Sequence, residues 1–239
     1  MLLYARCKAP RLRGNACDNF HFGPATISSF NMPSIYCERV GDGLLAEPLN
    51  AFTNVAFVLS AWQVWRLADR MGAMSPRIRL LCLLSVAIGA GSTLFHTWPT
   101  EWTRWFDFVP ILLFQVAFFC FFLGRNRGGV LSVIVITSIT LIDKQFPGAL
   151  NGSAVYAPAI LALVALWLFR FATAQPEALL LLIAASVFSL SLLLRTIDLE
   201  ICRFIPVGTH FLWHMLNSLL LYLLMRSLIV AHRSAPDRR

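Results

Sequence analysis

The chain contains seven apolar segments, and each is long enough to cross or nearly cross a lipid bilayer. They are residues 49–67, 80–98, 106–124, 129–142, 155–172, 178–194 and 208–231. Because the bilayer interior offers the backbone no hydrogen-bond partners, each segment should be a helix. Only 13% of the 239 residues are charged, about half the share in a soluble domain. The sequence therefore predicts an all-α, polytopic membrane protein built as a seven-transmembrane helix bundle.

The seven segments divide the chain into three regions. Residues 1–48 form a polar N-terminal cap, residues 49–231 form the membrane domain, and residues 232–239 form a short basic tail. Frequent proline and glycine residues interrupt regular structure in the cap, which we expect to contain packed loops or short helices. No apolar segment precedes residue 49, so we expect no cleavable signal peptide.

Lysine and arginine are unequally distributed between the two sides of the predicted bundle. One side receives Arg66, Arg70, Arg77, Arg79, Arg125, Arg127, Arg170, Arg226, Arg233, Arg238 and Arg239. The short loops of the other side contain only Arg104, Lys144, Arg195 and Arg203. Since basic residues mark the cytoplasmic side, we expect the N-terminus outside and the C-terminus in the cytoplasm. The net charge of +8 does not indicate a nucleic-acid partner, because the arginines form no continuous basic stripe.

Two histidines stand at the start of the last apolar segment. His210 and His214 are four residues apart, so on a helix they share a face and can hold one metal ion. For an isolated pair at this spacing, the alternative is two core histidines that are hydrogen-bonded to their neighbours. The position of the other polar residues in the membrane segments decides between these two interpretations.

Two more segments bring polar side chains to the same depth as this pair. His96 lies at the outer end of the second span and Asp107 at the outer end of the third. Ionisable groups inside membrane helices are costly and usually mark function. Three neutral imidazoles and one open position are the ligand set of a catalytic zinc, which lowers the pKa of its bound water to about 7. We therefore predict a zinc site at His96, His210 and His214.

Asp107 and Ser92 are the candidate catalytic residues of this site. Asp107 can orient the water and take its proton, although an acid at a helix N-terminus is also stabilised by the helix dipole. Ser92 lies one turn before His96, where its hydroxyl can hydrogen-bond the water or a developing oxyanion. The alternative for Ser92 is a small polar residue at a helix–helix contact.

Together these residues resemble the signature of the alkaline ceramidase family. That family belongs to a wider set of seven-span membrane hydrolases that includes the progestin and adiponectin receptors. The shared signature is Ser92 with His96, then Asp107, then His210 with His214, on the second, third and seventh spans. Flanking motifs that also match are Tyr36-Cys37-Glu38, Ala46-Glu47-Pro48-Leu49-Asn50-x-x-Thr53-Asn54 and Arg195-x-x-Asp198-x-x-x-Cys202. The likeness extends over about residues 36–217.

The resemblance carries implications for two metal sites. In the family, the three histidines hold zinc while the serine and the aspartate flank the bound water, which agrees with the roles argued above. Members with a calcium site build it from acids before and at the start of the first span, and Glu38 and Glu47 match two of those positions. An expected Asp-Trp pair is Ile35-Tyr36 here, the loop between the two acids is shorter, and Asp42 is a candidate substitute ligand.

The six cysteines fall into two groups. Cys82 and Cys120 lie inside predicted spans, where reduced, buried cysteines behave as small apolar residues. Cys7, Cys17, Cys37 and Cys202 lie on the predicted outer side, where disulfides persist. Cys37 and Cys202 each stand beside a motif that must approach the zinc layer, so we predict a disulfide between them.

Three functions were weighed against these features. The first is a zinc-dependent amidohydrolase of sphingolipid metabolism, which cleaves the N-acyl bond of ceramide or a related lipid. Its substrate pocket should have apolar walls, and we expect no obligate protein partner. Candidate wall residues are Phe95, Trp98, Phe106, Phe211 and Trp213. The second is a seven-span receptor or sensor with a structural zinc, but its inner side would need a larger partner-binding loop or tail. The third, a transporter, predicts internal repeats, and none is evident.

Overall fold

The computed structural model describes residues 36–39, 41 and 43–234, and these form helices without any strand. The helices are α1 (Pro48–Thr53), α2 (Val55–Arg70), α3 (Pro76–Thr97), α4 (Glu101–Leu123), α5 (Arg125–Gln145), α6 (Ala157–Ala172), α7 (Ala178–Ile201) and α8 (His210–Ser234). A short 3-10 helix, Ala154–Tyr156, precedes α6. The predicted all-α fold class is confirmed. Residues 1–35, which include Cys7 and Cys17, as well as Asp42 and residues 235–239 of the basic tail, lie outside the described residues.

Six helices in the described part of the chain are long and apolar enough to cross a membrane, one fewer than the sequence predicted. The chain is therefore a membrane-spanning protein, but the count of seven is not matched. The difference arises in the first apolar segment, which is divided into α1 and α2 at Asn54. The 16 residues of α2 rise about 24 Å, which is less than the bilayer core of about 30 Å.

Short connections make consecutive helices antiparallel, so the bundle has two chemically different ends. The end of α3 meets the start of α8 where the rings of His96 and His210 approach to 5.3 Å. At the opposite end, Nη1 of Arg77 at the start of α3 lies 2.9 Å from Nε2 of His232 in the last turn of α8. We call these the histidine end and the arginine end; Arg170 and Arg233 also lie at the latter.

Helix α8 lies at the centre of the packing, where it contacts α1, α2, α3, α4 and α7. Its apolar residues join those of α2, α3 and α7 in a core that includes Val64, Leu81, Leu181, Met225 and Leu228, all almost completely buried. This core fills the bundle between the two ends. It fixes α3 and α8 against each other, and these helices carry all three histidines of the predicted zinc site.

A glycine brings α3 and α4 into backbone contact near the histidine end. A Cβ atom at Gly91 would lie 2.0 Å from the carbonyl oxygen of Phe106 and 3.2 Å from the amide nitrogen of Asp107. No side chain fits there, and small residues are how membrane helices achieve such close approach. The contact holds the start of α4 directly beside the turn of α3 that carries Ser92.

Candidate metal centre

The three histidines predicted from the sequence come together in a buried cluster. Each of His96, His210 and His214 offers one ligand nitrogen, and these atoms lie within 4.8 Å of one another. All three side chains are at most 2% exposed. In the described part of the chain, this is the one group of three or more His, Cys, Asp or Glu ligand atoms that can hold a metal ion.

His96 is oriented by Glu47, the residue that precedes α1. The Nδ1 atom of His96 lies 2.5 Å from Oε2 of Glu47, and a carboxylate oxygen at this position accepts the Nδ1 proton. This leaves Nε2 of His96 as the free ligand atom, which is the arrangement that supports metal-binding histidines in general. Arg39 pairs with the other carboxylate oxygen and also donates to the backbone oxygen of His96.

The partners of Glu47 keep its carboxylate charged despite burial. Burial alone would raise the pKa of Glu47, but hydrogen bonds from His96 and Asn50 and the charge of Arg39 outweigh it and lower the pKa below its ordinary value. The Nδ2 atom of Asn50 donates to Oε2 at 3.1 Å. Glu47 therefore links the N-terminal segment, α1 and the end of α3 through one ionised group.

His214 is oriented by a hydroxyl group rather than by a carboxylate. Its Nδ1 atom lies 3.1 Å from Oγ1 of Thr53, and the hydroxyl of Thr53 donates its proton to the backbone oxygen of Leu49 at 2.8 Å. The Thr53 oxygen is thus available to accept the Nδ1 proton of His214. As in His96, Nε2 remains free for a ligand bond.

His210 is held by stacking instead of by a hydrogen bond. The ring centroids of Tyr36 and His210 lie 3.8 Å apart, and the two ring planes are inclined by 25°. Burial raises the pKa of Tyr36 above its ordinary value. Among the described residues, Nδ1 of His210 is buried and has no hydrogen-bond partner. Because an unsatisfied buried nitrogen is costly, its position beside two oriented imidazoles fits a site for a bound metal ion.

Asp198 fixes the start of α8, where His210 is located. This fully buried acid of α7 accepts the backbone N–H groups of Thr209 and His210 through Oδ1, at 2.6 and 2.9 Å. Its Oδ2 accepts the N–H of Cys37 at 3.0 Å. A carboxylate at this position satisfies donors that a helix N-terminus leaves unpaired, and it also complements the helix dipole.

Gly208 makes this cap possible. Its φ angle is +66°, in the left-handed region that favours glycine. A Cβ atom there would lie 2.2 Å from Oδ1 of Asp198 and 2.5 Å from Cβ of Cys37. The chain can therefore turn into α8 against Asp198 only with a glycine at this position.

A disulfide connects the N-terminal segment to the end of α7. Cys37 and Cys202 are bonded, with Cα atoms 5.3 Å apart, although they are 165 positions apart in the sequence. This is the pairing that the sequence predicted. Cys37 directly follows Tyr36, whose ring stacks on His210. The disulfide therefore also holds Tyr36 against this histidine of the cluster. Cys82 and Cys120 are free, also as expected, and Cys120 is only half-buried.

Asp107 and Ser92 lie together beside the histidine cluster. The carboxylate of Asp107 lies beside the side chain of Ser92 and within electrostatic range of His96 and Arg195. Ser92 is buried, whereas Asp107 is half-buried. The close contact at Gly91 thus brings an acid and a hydroxyl to the histidine cluster from two different helices.

Arg195 adds a positive charge to the same end of the bundle. Its guanidinium carbon lies 5.4 Å from the ring centroid of Tyr156 and 5.6 Å from that of Trp213. Its Nη1 donates to the backbone oxygen of Asn151 at 2.7 Å and to Oγ of Ser153 at 2.9 Å. These contacts hold the connection between α5 and α6 against α7.

The two acids assigned to calcium by the resemblance have other partners. Glu38 accepts the backbone N–H groups of Leu49 and Asn50, at 2.6 and 2.8 Å, and so caps the start of α1. Glu47 orients His96 as described above. The calcium site stays a prediction that no described group of ligand atoms supports, and its third candidate, Asp42, lies outside the described residues.

The aromatic residues expected to form substrate walls differ in their environment. Phe95 and Trp213 are buried, whereas Trp98 and Phe106 are 49% and 59% exposed and Phe211 is intermediate. Exposed aromatic rings near the ends of membrane helices are typical of the interfacial belt. The use of these residues as walls of a lipid path stays a prediction.

The supporting residues of the cluster were largely missed by the sequence analysis. Tyr36, Thr53 and Asp198 appeared there only as parts of family motifs, and Glu47 was assigned to calcium. Asp198 carried a usable signal, since an acid at the end of an apolar segment needs a specific partner. The contacts of Thr53 and Tyr36 depend on the path of the N-terminal segment, for which the sequence carries no such signal.

Comparisons with known proteins add no assignment to this geometry. No family model matches the chain, and no curated protein matches it. The resemblance to the alkaline ceramidase family therefore rests on the motifs quoted above alone.

Proposed function

We propose that this protein is a zinc-dependent intramembrane hydrolase of the alkaline ceramidase type, which cleaves the N-acyl amide bond of ceramide or a related lipid. One observation carries the proposal. Three imidazoles gather at one end of the membrane helices, and an acid with a hydroxyl partner lies beside them. Structural metal sites need only ligands, whereas a hydrolytic site also needs a group that moves a proton.

The donor set supports zinc as the metal. Three neutral imidazoles are a ligand set of catalytic zinc sites, with one position left for water or substrate. His96 and His214 are oriented through Nδ1 by Glu47 and Thr53, and such partners fix the tautomer of zinc-binding histidines. When bound, the ion would act as a Lewis acid and lower the pKa of water to about 7.

The proton transfers fall to Asp107. A carboxylate oxygen of Asp107 accepts a proton from the attacking water and then returns it to the amide nitrogen as the C–N bond breaks. Amide hydrolysis needs this second transfer, because without it the nitrogen would have to leave as an amide anion, which is a poor leaving group. Ser92 lies beside the same carboxylate and can orient it while it is charged. Once Asp107 has taken up the proton, the single hydroxyl proton of Ser92 is the candidate donor to the oxyanion. The products are a fatty acid and an amine.

The position of the centre supports a lipid as substrate. His96 ends one spanning helix and His210 begins another, so the cluster lies near the boundary between the acyl chains and the headgroups. The amide bond of an N-acyl lipid lies at this boundary. A substrate of this kind reaches the site without leaving the bilayer.

The decisive experiment measures fatty acid release and zinc content together. Purified protein in lipid nanodiscs is given a panel of N-acyl lipids, and the same assay is applied to Asp107→Asn and Ser92→Ala. Asp107→Asn should keep its zinc and lose about 10² to 10⁴ in rate, the usual contribution of a general acid–base. Ser92→Ala should keep its zinc and lose about 10², as expected when a catalytic group is misplaced.

The matched control is Asp143→Asn, which changes an exposed acid at the same end of the bundle. It should retain both zinc and full activity. Full activity in Asp107→Asn would show that the catalytic assignment is wrong. Zinc without release of fatty acid from any lipid of the panel would instead favour the receptor or sensor.

For the orientation, we propose an N-terminus outside and a C-terminus in the cytoplasm. The arginine-rich loops support this arrangement through the preference of basic residues for the cytoplasmic side. The test fuses a reporter enzyme after the last residue and measures on which side of the membrane it lies. We expect the reporter on the cytoplasmic side. Activity on the opposite side would reverse the orientation but would leave the histidine cluster unaffected.

A further inference from the structure

A second candidate site lies at the arginine end of the bundle, opposite the cluster of His96, His210 and His214. A cavity of about 240 Å³ opens between the connection that joins α2 to α3 and the last turns of α8. Its lining includes Ser75, Arg77 and Ile78 from the start of α3 and Ile229, His232 and Arg233 from the end of α8. None of these residues belongs to the metal centre, so the cavity needs an explanation of its own.

The polar part of the cavity is basic. Arg77 and Arg233 both line it, and no acidic residue does. The ion pairs found among the described residues join Arg39 to Glu47 and Arg170 to Glu177, and they do not include Arg77 or Arg233. The cavity therefore contains two cationic groups without a described carboxylate to balance them.

His232 orients one of these cations without neutralising it. Nδ1 of His232 lies 2.8 Å from the backbone oxygen of Leu228 and donates its proton there. Nε2 is then the acceptor for Nη1 of Arg77, at 2.9 Å. The guanidinium of Arg77 has five N–H donors in total, and this contact uses one of them. The remaining donors are free to bind an anion with the planar geometry that suits phosphate.

The inner part of the cavity is apolar. Met71 and Ala73 line it and are half-buried, so part of their apolar surface is open to a ligand, whereas Arg77 and Arg233 are exposed to the outside. Because α3 begins and α8 ends here and both are long enough to span a membrane, the cavity lies at the depth of the headgroups. A ligand that fits must therefore have an anionic head and an apolar body.

From these observations we propose that this cavity binds the phosphate group of an anionic phospholipid, with Arg77 and Arg233 as its ligands. A free phosphate ion offers the same chemistry to the two arginines. It would leave the apolar inner wall without a partner, so the lipid fits the whole cavity better. The site is separate from the metal centre, and the proposal does not depend on the hydrolase function.

The test compares two ligands that differ only in the phosphate group. Binding of a fluorescent phosphatidic acid to the purified protein in neutral detergent is measured beside binding of the diacylglycerol with the same chains. Phosphatidic acid should bind at least tenfold more tightly. Arg77→Gln and Arg233→Gln should each weaken its binding about fivefold, and the double variant about 25-fold, the effect expected for one basic residue each at an anionic lipid surface.

The control is Arg79→Gln, which removes an exposed arginine of the same helix that does not line the cavity. It should leave the affinity unchanged, and all variants should keep the wild-type thermal stability, since the altered side chains are exposed. A competition with millimolar inorganic phosphate distinguishes the two sources of phosphate. If it displaces phosphatidic acid, the arginines bind a free phosphate ion as well; if it does not, the lipid is the ligand. Equal affinity for diacylglycerol, or an equal loss in Arg79→Gln, would overturn the proposal.

Discussion

The two ends of this bundle use polar residues in opposite ways. At the histidine end, His96, His214 and Asp198 are buried. Each is hydrogen-bonded to a residue outside its own helix: His96 to Glu47, His214 to Thr53 and Asp198 to the backbone of His210. At the arginine end, the basic side chains are mostly exposed. Among the described residues of this end, the one ion pair joins Arg170 to Glu177. Burying a polar group is costly without a partner, so the first end was built for fixed geometry and the second for contact with its surroundings.

The largest expected difference between the ends concerns metal binding. His210→Ala should remove bound zinc almost completely, because two imidazoles hold the ion poorly. His232→Ala removes a histidine from the same helix at the arginine end and should leave the zinc content at the wild-type level. Elemental analysis of both variants after purification in zinc-replete medium measures this. Equal zinc in the two proteins would mean that the cluster is not the metal site.

A second difference concerns stability and compares two aspartates. Asp198→Ala leaves three backbone N–H groups without their acceptor, those of Thr209 and His210 at the start of α8 and that of Cys37 in the N-terminal segment, and hydrogen bonds to a charged group contribute about 1.5–3 kcal/mol each. We expect the free energy of unfolding to fall by about 3 kcal/mol or more. Asp69→Ala, at the exposed end of α2, should change it by less than about 0.5 kcal/mol.

Unfolding in detergent with increasing denaturant, followed by circular dichroism, distinguishes these two results. If Asp198→Ala were as stable as Asp69→Ala, the cap of α8 would contribute little, and the position of His210 would need another cause.

The smallest expected difference compares two buried glutamates that each pair with an arginine. Glu47→Gln weakens the acceptor for Nδ1 of His96 and should reduce zinc affinity about 10- to 100-fold, the usual effect of losing a partner of a metal-binding histidine. Glu177→Gln changes the equivalent pair with Arg170 at the other end and should leave zinc affinity unchanged. Competition with a chromophoric chelator gives both affinities. A similar loss in both variants would indicate general destabilisation.

The sequence predicted the parts of this structure that depend on local pattern. Apolar segments define the helices, and the positions of His96 and His210 at segment ends place them at one depth. The break at Asn54 was not predicted, because it lies within a continuous apolar segment and depends on how α1 packs against α3 and α8. The partners Glu47 and Asp198 were not predicted either, since their contacts join residues 49 and 12 positions apart.

The disulfide also determines when the centre can be completed during synthesis. Cys202 follows Cys37 by 165 residues, and His210 and His214 follow Cys202. The ribosome must therefore produce nearly the whole membrane domain before the first segment finds its partner. Any chain released before α8 has been made contains a single histidine of the cluster, His96, and a chain released before Cys202 also contains an unpaired Cys37. The three histidines can thus come together only in a chain whose last membrane helix is already in place.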